Sequence, residues 1–170
     1  QVRDASKLLI YKDGNIQEDI YAHIADHIPE NTLLVFNQTK VVHARLLFQK
    51  PTGGIIEVFC LEPDDKYADI QTAMLQKAKV SWKCMVGGAS KWKQGIVLTL
   101  NCTNPAFTVS ASIIEKNADS FTLQLQWNDP SLTFAEVLYF AGKVPLPPYL
   151  NRKADISDED RYQTIFALSL

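Results

Sequence analysis

The stretch SFTLQLQW, residues 120–127, indicates the fold class because apolar and polar residues alternate along it. One side of the extended chain would carry the apolar residues Phe121, Leu123, Leu125 and Trp127. A period of two is typical of a β-strand with one buried face. The same alternation recurs in residues 96–100 and 107–113. The middle of the chain is therefore predicted to be almost purely β.

Turn-forming residues separate these predicted strands. Gly, Pro, Asn or Asp occur at 87–88, 94–95, 104–105 and 117–119, and each of these residue types favours a turn. Several short strands joined by turns predict a small antiparallel barrel or sandwich. We assign it to residues 57–136.

The flanking segments combine helix-like and strand-like patterns. Isoleucine at every fourth position from Ile16 to Ile28 predicts an amphipathic helix that ends at Pro29. Residues 33–36 and 41–48 are apolar and predict strands. Thr133 and Glu136 fit a capping box at the start of a helix, which Gly142 ends. The predicted fold class is α+β: a mixed α/β domain, 1–56 and 137–170, with an inserted small antiparallel β-barrel, 57–136.

Composition restricts the protein class. The 170 residues are 46% hydrophobic and 21% charged, with a net charge of −2, which excludes a disordered chain. No apolar run approaches the ~18 residues of a membrane span. The three cysteines are odd in number and far apart, so we expect core packing in a cytoplasmic protein rather than a secreted disulfide framework. A first residue other than Met suggests a start inside a longer sequence.

Asp19, His23 and His27 are the first candidate site. Spacings of four residues place side chains on one face of a helix, where they can hold a metal. The Glu of an HExxH site is missing between the histidines. We therefore interpret the three residues as a solvated helix face and predict no metal site.

A lysine-rich segment, residues 70–114, is the second candidate because it contains no acidic residue. Lysines can bind phosphates, and the interleaved Trp82 and Trp92 could stack on bases. The alternative is a set of solvated lysines that discourage pairing at strand edges. The residues assigned to RNA binding are Lys77, Lys79, Lys83, Lys91 and Lys93.

Two further segments carry glycine or proline. Residues 52–54, Thr-Gly-Gly, either hold an anion on backbone N–H groups or form a hairpin turn. Residues 145–152, PLPPYLNR, form a rigid extended run, since proline fixes its own φ and restricts the preceding residue. That run is either the wall of a binding site, with its aromatic and arginine held in place, or a structural or partner-binding strap.

Six stretches together resemble the S-adenosylmethionine:tRNA ribosyltransferase-isomerase family of queuosine biosynthesis. The most specific are PLPPYLNR at 145–152 and DRYQT at 160–164. The others are RDASKLL at 3–9, LVFNQTKV at 34–41, ARL at 44–46 and TGGIIE at 52–57. The resemblance implies a mixed α/β domain with an inserted β-barrel.

The resemblance also implies the reaction. The ribosyl group of S-adenosylmethionine is transferred to 7-aminomethyl-7-deazaguanine at the tRNA wobble position and isomerised, which gives epoxyqueuosine in tRNA. S-adenosylmethionine is consumed as substrate, and no metal or other cofactor is implied. By motif match, the expected catalytic residues are Asp160, Arg161 and Tyr162. The expected substrate-binding residues are Arg3, Asp4, Asn37, Thr39, Arg45, Pro147, Pro148, Tyr149 and Arg152.

The family's chain continues beyond the point that corresponds to residue 170. We therefore expect residues 1–170 alone to be inactive. The rival interpretations are a non-catalytic RNA-binding β-barrel module and a small-molecule-binding barrel. The lysines favour the first of these, and neither explains the proline run together with the DRYQT motif.

Overall fold

A computed structural model describes residues 3–145 and 163–164 of the chain. The chain divides into two compact units, residues 1–37 and 38–170. Among the described residues, no helix is both long and apolar enough to span a membrane. The predicted residues Pro147, Pro148, Tyr149, Arg152, Asp160, Arg161 and Tyr162 lie outside the described ranges.

The first unit contains a β-hairpin and two short 3₁₀ helices. Strand β1, Lys7–Lys12, pairs antiparallel with β2, Asn15–Ile20. The 3₁₀ helices are Arg3–Ala5 and Tyr21–His27. Asp13 and Gly14 form the hairpin loop, and both have positive φ, 50° and 80°. Two positive φ values in a two-residue loop are the geometry that favours Asp-Gly hairpins.

The helix predicted from the isoleucine repeat is therefore wrong. Ile16 and Ile20 lie in β2, where they are 68% and 39% exposed, and only a 3₁₀ helix follows. The Asp-Gly turn reverses the chain immediately before Ile16, and β-branched isoleucine suits a strand. The turn signal is local and outweighs the four-residue spacing.

The predicted strand at residues 33–36 is also absent, since residues 33–44 form no regular element. Leu33 and Val35 are 86% and 85% exposed. A strand requires a partner for its N–H and C=O groups, and residues 33–36 pair with no strand among the described residues. The second predicted strand begins later, at Arg45.

The second unit is built on a closed antiparallel barrel of six strands, in the order β3-β4-β5-β8-β7-β6. Gln49 opposite Thr99 closes it. Its strands are β3, Arg45–Gln49; β4, Ile55–Pro63; β5, Lys79–Gly87; β6, Leu98–Thr103; β7, Ala106–Lys116; and β8, Phe121–Trp127. The predicted small antiparallel barrel is thus confirmed, and the described residues are mostly β. The mixed α/β domain, 1–56 and 137–170, stays a prediction, although β3 precedes residue 57 and belongs to the barrel.

Besides the barrel, the described part of the second unit contains two α-helices and one 3₁₀ helix. They are α1, Ile70–Met74; the 3₁₀ helix Ala89–Lys91; and α2, Phe134–Ala141. The predicted capping box is confirmed, because Thr133 and Glu136 bond reciprocally at the start of α2. Phe134 packs 4.8 Å from the Trp82 ring and 6.0 Å from the Trp127 ring. The apolar face of the amphipathic helix α2 is thereby buried against the barrel core.

The interior of the barrel is filled by side chains from alternating strand positions. Leu123, Leu125 and Trp127 are buried and Gln126 is exposed, as the alternation in 120–127 predicts, whereas Thr122 is buried too and Phe121 only half-buried. Full burial of one such apolar side chain contributes roughly 1.5–3 kcal/mol. The largest fully buried residues include Trp82, Phe48, Phe134, Leu46, Ile56, Leu98, Leu123, Leu125 and Leu138.

Candidate functional site

Gln163, in the DRYQT motif, is bonded to the backbone of Val41. Its Oε1 accepts a hydrogen bond from the Val41 N–H at 2.6 Å, and its Nε2 donates to the Val41 carbonyl at 3.2 Å. One carboxamide thus satisfies both backbone groups of a residue 122 positions away. Sequence patterns did not predict this contact. It joins two of the six stretches that carry the family resemblance.

The segment that holds Val41 is also fixed to helix α2. The His43 ring stacks on the Tyr139 ring at 5.7 Å, and its Nδ1 lies 3.2 Å from the Tyr139 carbonyl oxygen. Lys40 Nζ lies 5.9 Å from the centre of the same ring. The backbone carbonyl of His43 approaches Gly142 so closely that a Cβ there would overlap it. Residues 40–43 therefore pack against α2 and the glycine that ends it, although they form no strand.

Arg45 is held by an ion pair. Its Nε lies 2.7 Å from Glu57 Oε1, and its Nη2 donates to Glu57 Oε2 at 2.9 Å. One hydrogen bond, from Nη2, together with the close approach of opposite charges holds the two side chains to each other. The predicted role of Arg45 in substrate binding stays a prediction, with Glu57 as a partner that the sequence patterns did not reveal.

The remaining described residues of the predicted substrate site belong to different units. Arg3 and Asp4 lie in the first 3₁₀ helix, and Asn37 ends the first unit. Thr39 is exposed and lies two residues before Val41 in the second unit. Their predicted role in substrate binding stays a prediction.

Asp19 connects the two histidines of the first unit. Its Oδ1 lies 2.9 Å from His23 Nδ1, and its Oδ2 lies 2.7 Å from His27 Nε2. Hydrogen bonds from His27, the Ile20 N–H and His23 hold the pKa of the Asp19 carboxyl well below its usual range. The carboxylate thus organises a hairpin-to-3₁₀ junction rather than a helix face. No group of three or more His, Cys, Asp or Glu able to hold a metal occurs in residues 3–145 and 163–164.

The Thr-Gly-Gly segment forms a hairpin turn between β3 and β4. The Lys50 N–H donates to the Gly54 carbonyl at 2.8 Å, and the Gly53 N–H donates to the Lys50 carbonyl at 2.8 Å. Gly53 has a φ of 88°, a value that glycine adopts readily. The turn interpretation accounts for both glycines.

The predicted RNA-binding lysines lie in two groups. Lys77 and Lys79 are exposed at the start of β5, while Lys91 and Lys93 are exposed beyond its end. The nine-residue strand β5, itself roughly 25 Å long, lies between the two groups in the chain. The lysines therefore do not form one compact patch.

Lys83, the fifth lysine, is already paired with carboxylates. Its Nζ lies 2.7 Å from Asp65 and 3.2 Å from Glu62. Hydrogen bonds to Asp65 and then Glu62 raise the pKa of its ammonium group. The segment 70–114 lacks acids, but the neighbouring end of β4 supplies them. Of the five lysines, Lys83 is the poorest candidate for a phosphate.

The proposed stacking of bases on tryptophan is wrong for both residues. Trp82 and Trp92 are 2% and 4% exposed. Trp92 Nε1 donates to the Ile96 carbonyl at 2.8 Å, and Trp82 packs on Phe134. Both rings are core residues. For Trp82 the reason is the strand period, since Lys79 and Lys83 occupy the opposite face of β5.

The cavities of the described surface include one in each unit. One, of about 360 Å³, lies in the first unit against Lys12, Asn15 and His27. The other, of about 320 Å³, lies on the barrel against Cys102, Phe140 and Lys143. Neither cavity is lined by a residue predicted to bind substrate or RNA.

The family model described as "Queuosine biosynthesis protein" matches residues 1–169. The chain belongs to the queuosine biosynthesis protein family. The predicted family is thereby confirmed, and no solved structure gives a significant match.

Curated relatives of this chain carry the name S-adenosylmethionine:tRNA ribosyltransferase-isomerase. The protein of Pelobacter propionicus is 33% identical over 170 residues, which cover 98% of this chain and 44% of the relative. That of Geotalea uraniireducens is 34% identical over 169 residues, with 98% and 44% coverage. That of Aquifex aeolicus is 33% identical over 171 residues, with 97% and 43% coverage. The chain thus spans less than half the length of these curated relatives.

Proposed function

We propose that this chain is part of an enzyme that transfers and isomerises the ribosyl group of S-adenosylmethionine. The acceptor is 7-aminomethyl-7-deazaguanine at the tRNA wobble position, and the product is epoxyqueuosine in tRNA. The observation that carries this proposal is the match to relatives of that name along 97–98% of the chain. S-adenosylmethionine is consumed as substrate, no metal is required, and the enzyme acts in the cytoplasm.

The contact between Gln163 and Val41 supports the proposed site. Gln163 follows residues 160–162 directly in the sequence, and Thr39 is two residues from Val41. The carboxamide bonds therefore join the DRYQT motif, at Gln163, to the segment that carries the proposed substrate-binding residue Thr39.

The reaction requires groups of the types found in these motifs. A base must remove a proton beside the sulfonium, and a donor must assist the departure of adenine. A carboxylate or an aromatic face can stabilise the positive sulfur. Asp160 with Tyr149 and Tyr162 provide these groups, while Arg152 and Arg161 can bind phosphate or carboxylate. Pro147 and Pro148 would hold Tyr149 and Arg152 in place.

The full-length enzyme is expected to release adenine from S-adenosylmethionine in the presence of the modified tRNA, whereas residues 1–170 alone release none. A site for two large substrates needs walls on several sides. Loss of one wall removes most of the ~7–11 kcal/mol that orientation can contribute. Free adenine is measured by chromatography for the full-length enzyme and for residues 1–170, each against a no-enzyme control.

The two possible failures have different meanings. No adenine from the full-length enzyme would overturn the proposed function. Adenine from residues 1–170 would instead show that one wall suffices. Unmodified tRNA serves as the matched substrate control, because it lacks the amine that accepts the ribosyl group.

Replacing Lys77, Lys79, Lys91 and Lys93 with Gln is expected to weaken tRNA binding by the full-length enzyme and to flatten its salt dependence. Each lost phosphate contact should reduce the log–log slope by roughly 0.7–0.9. Binding is measured across a salt series, with each pair changed separately because the two pairs lie at opposite ends of β5.

A charge-matched control is Lys50→Gln with Lys116→Gln, two lysines outside the 70–114 segment. Lys83→Gln should change the slope least of the five, since Asp65 and Glu62 already neutralise it. Equal slopes for the control and the two pairs would assign the lysines to a solvated face.

The barrel is a closed unit with exposed lysines, which also suits a non-catalytic RNA-binding module. Such a module would bind tRNA but leave S-adenosylmethionine intact in the adenine assay. The assay therefore separates the two functions.

A further inference from the structure

The barrel interior contains two cysteines that face each other across neighbouring strands. Cys60 on β4 and Cys84 on β5 are direct partners in the antiparallel register. Both thiols are free, and the residues are 6% and 0% exposed. Neither cysteine belongs to the proposed substrate site.

The pair occupies the closer of the two kinds of opposed position in an antiparallel sheet. The Cys60 N–H donates to the Ala44 carbonyl at 2.8 Å, beside β3 and away from β5. The N–H and C=O groups of one strand residue point to the same side, so Cys60 and Cys84 form a non-hydrogen-bonded pair. In such pairs the Cα atoms are about 4.5 Å apart. A disulfide spans Cα separations of about 4.4–6.8 Å, so the two strands already have the required spacing.

The surroundings of the pair slow its reaction with oxidants. Contact with the Cys60 thiol and burial both raise the pKa of the Cys84 thiol. The Cys84 S–H donates to the Trp82 carbonyl at 3.6 Å. Neutral, buried thiols react slowly, because the thiolate is the nucleophile. Cys60 is the more exposed of the two and would meet a reagent first.

We propose that Cys60 and Cys84 form a redox modification site, at which a disulfide oxidant such as oxidised glutathione joins β4 to β5. The Cys60 thiolate attacks one sulfur of the oxidant, which forms a mixed disulfide and releases one thiolate. The Cys84 thiolate then attacks the Cys60 sulfur and releases the second. The two cysteines lose two protons and two electrons, and the oxidant is reduced to two thiols.

The disulfide would be of the reversible kind. Thiol–disulfide exchange runs in both directions, so an excess of a thiol reductant such as dithiothreitol should restore the two thiols.

Cys102 provides an internal comparison. It lies on β6 opposite Phe107, and β3 separates β6 from β4 in the barrel. Two strand spacings amount to roughly 10 Å, beyond the ~7 Å that a disulfide can bridge. The barrel geometry therefore selects Cys60–Cys84 over any pair with Cys102.

The test uses the full-length protein, unfolded in urea with reduced thiols and then refolded in a glutathione redox buffer. Unfolding exposes the thiols, so their burial in the native barrel does not limit the result. After the free thiols are alkylated, trypsin places the three cysteines on separate peptides, residues 46–66, 84–91 and 94–116. Mass spectrometry then counts each linked pair.

We expect the link between peptides 46–66 and 84–91 to exceed every pair with Cys102 by at least tenfold. It should also exceed its own level in protein kept in urea by tenfold and disappear with dithiothreitol. Cys102→Ser should keep the link, and Cys60→Ser should abolish it. A link no more abundant after refolding than in urea, or a refolded protein with both thiols free, would overturn the proposal.

Discussion

Asp160→Asn in the full-length enzyme is expected to lower the turnover number for adenine release by about 10²–10⁴-fold, the usual effect of losing a general acid or base. Arg161→Ala should also lower it strongly, because a charge-assisted contact to a phosphate or carboxylate of the substrates is lost. The melting temperature should change little. If Asp160 merely capped a surface helix, its loss would cost only about 0.5–2 kcal/mol of stability and leave turnover intact. Activity and thermal melting are measured on the same preparations.

Asp119→Asn is the matched control for this prediction. Asp119 is an exposed carboxylate in the segment between β7 and β8, and removing its charge should leave turnover unchanged. A variant of Asp160 or Arg161 that melts early but turns over normally at low temperature would assign the pair to structure. The proposed catalytic role would then be wrong.

Gly142→Ala is expected to destabilise the barrel unit by about 3 kcal/mol, the upper end of the usual cost of overpacking. A Cβ at this position would overlap the carbonyl oxygens of His43 and Leu138, and it would lie 2.8 Å from the His43 Cβ. Backbone atoms cannot move aside as a flexible side chain can. For a domain of this size, the melting temperature should fall by about 6–12 °C.

Gly87→Ala is the matched control for overpacking. A Cβ at Gly87 would lie 3.3 Å from the Cβ of Glu57, with ordinary contacts otherwise. We expect it to cost less than about 1 kcal/mol, and thermal melting compares the two variants directly. An unchanged melting temperature for Gly142→Ala would show that residues 40–43 do not pack on α2 as described.

Gly142 illustrates the difference between a correct prediction and its cause. The sequence predicts that α2 ends there because glycine commonly follows a helix, and α2 does end at Ala141. The φ of Gly142 is −81°, which any residue can adopt. The close carbonyl of His43, 99 positions earlier in the chain, is what excludes a side chain. Only the tertiary structure provides that reason.

The candidate site likewise combines residues that the sequence predicts with contacts that only the folded structure reveals. Motif matches in the sequence were sufficient to identify the family and to name residues such as Asp160 and Thr39. They did not reveal that Gln163 bonds Val41 or that Glu57 holds Arg45. Both contacts depend on chain segments brought together by folding, and no local spacing encodes them.

The sequence by itself determined that the middle of the chain forms short strands joined by turns, because the period of two in residues 120–127 is a direct consequence of strand geometry and turn residues separate the strands. It also determined the start of α2, since a capping box is completed within four residues. The closure of the barrel through Gln49 and Thr99, the burial of Trp82 and Trp92, and the pairing of Cys60 with Cys84 were decided only by tertiary structure. Each depends on which distant strands become neighbours, and that follows from the packing of the whole core rather than from any local pattern.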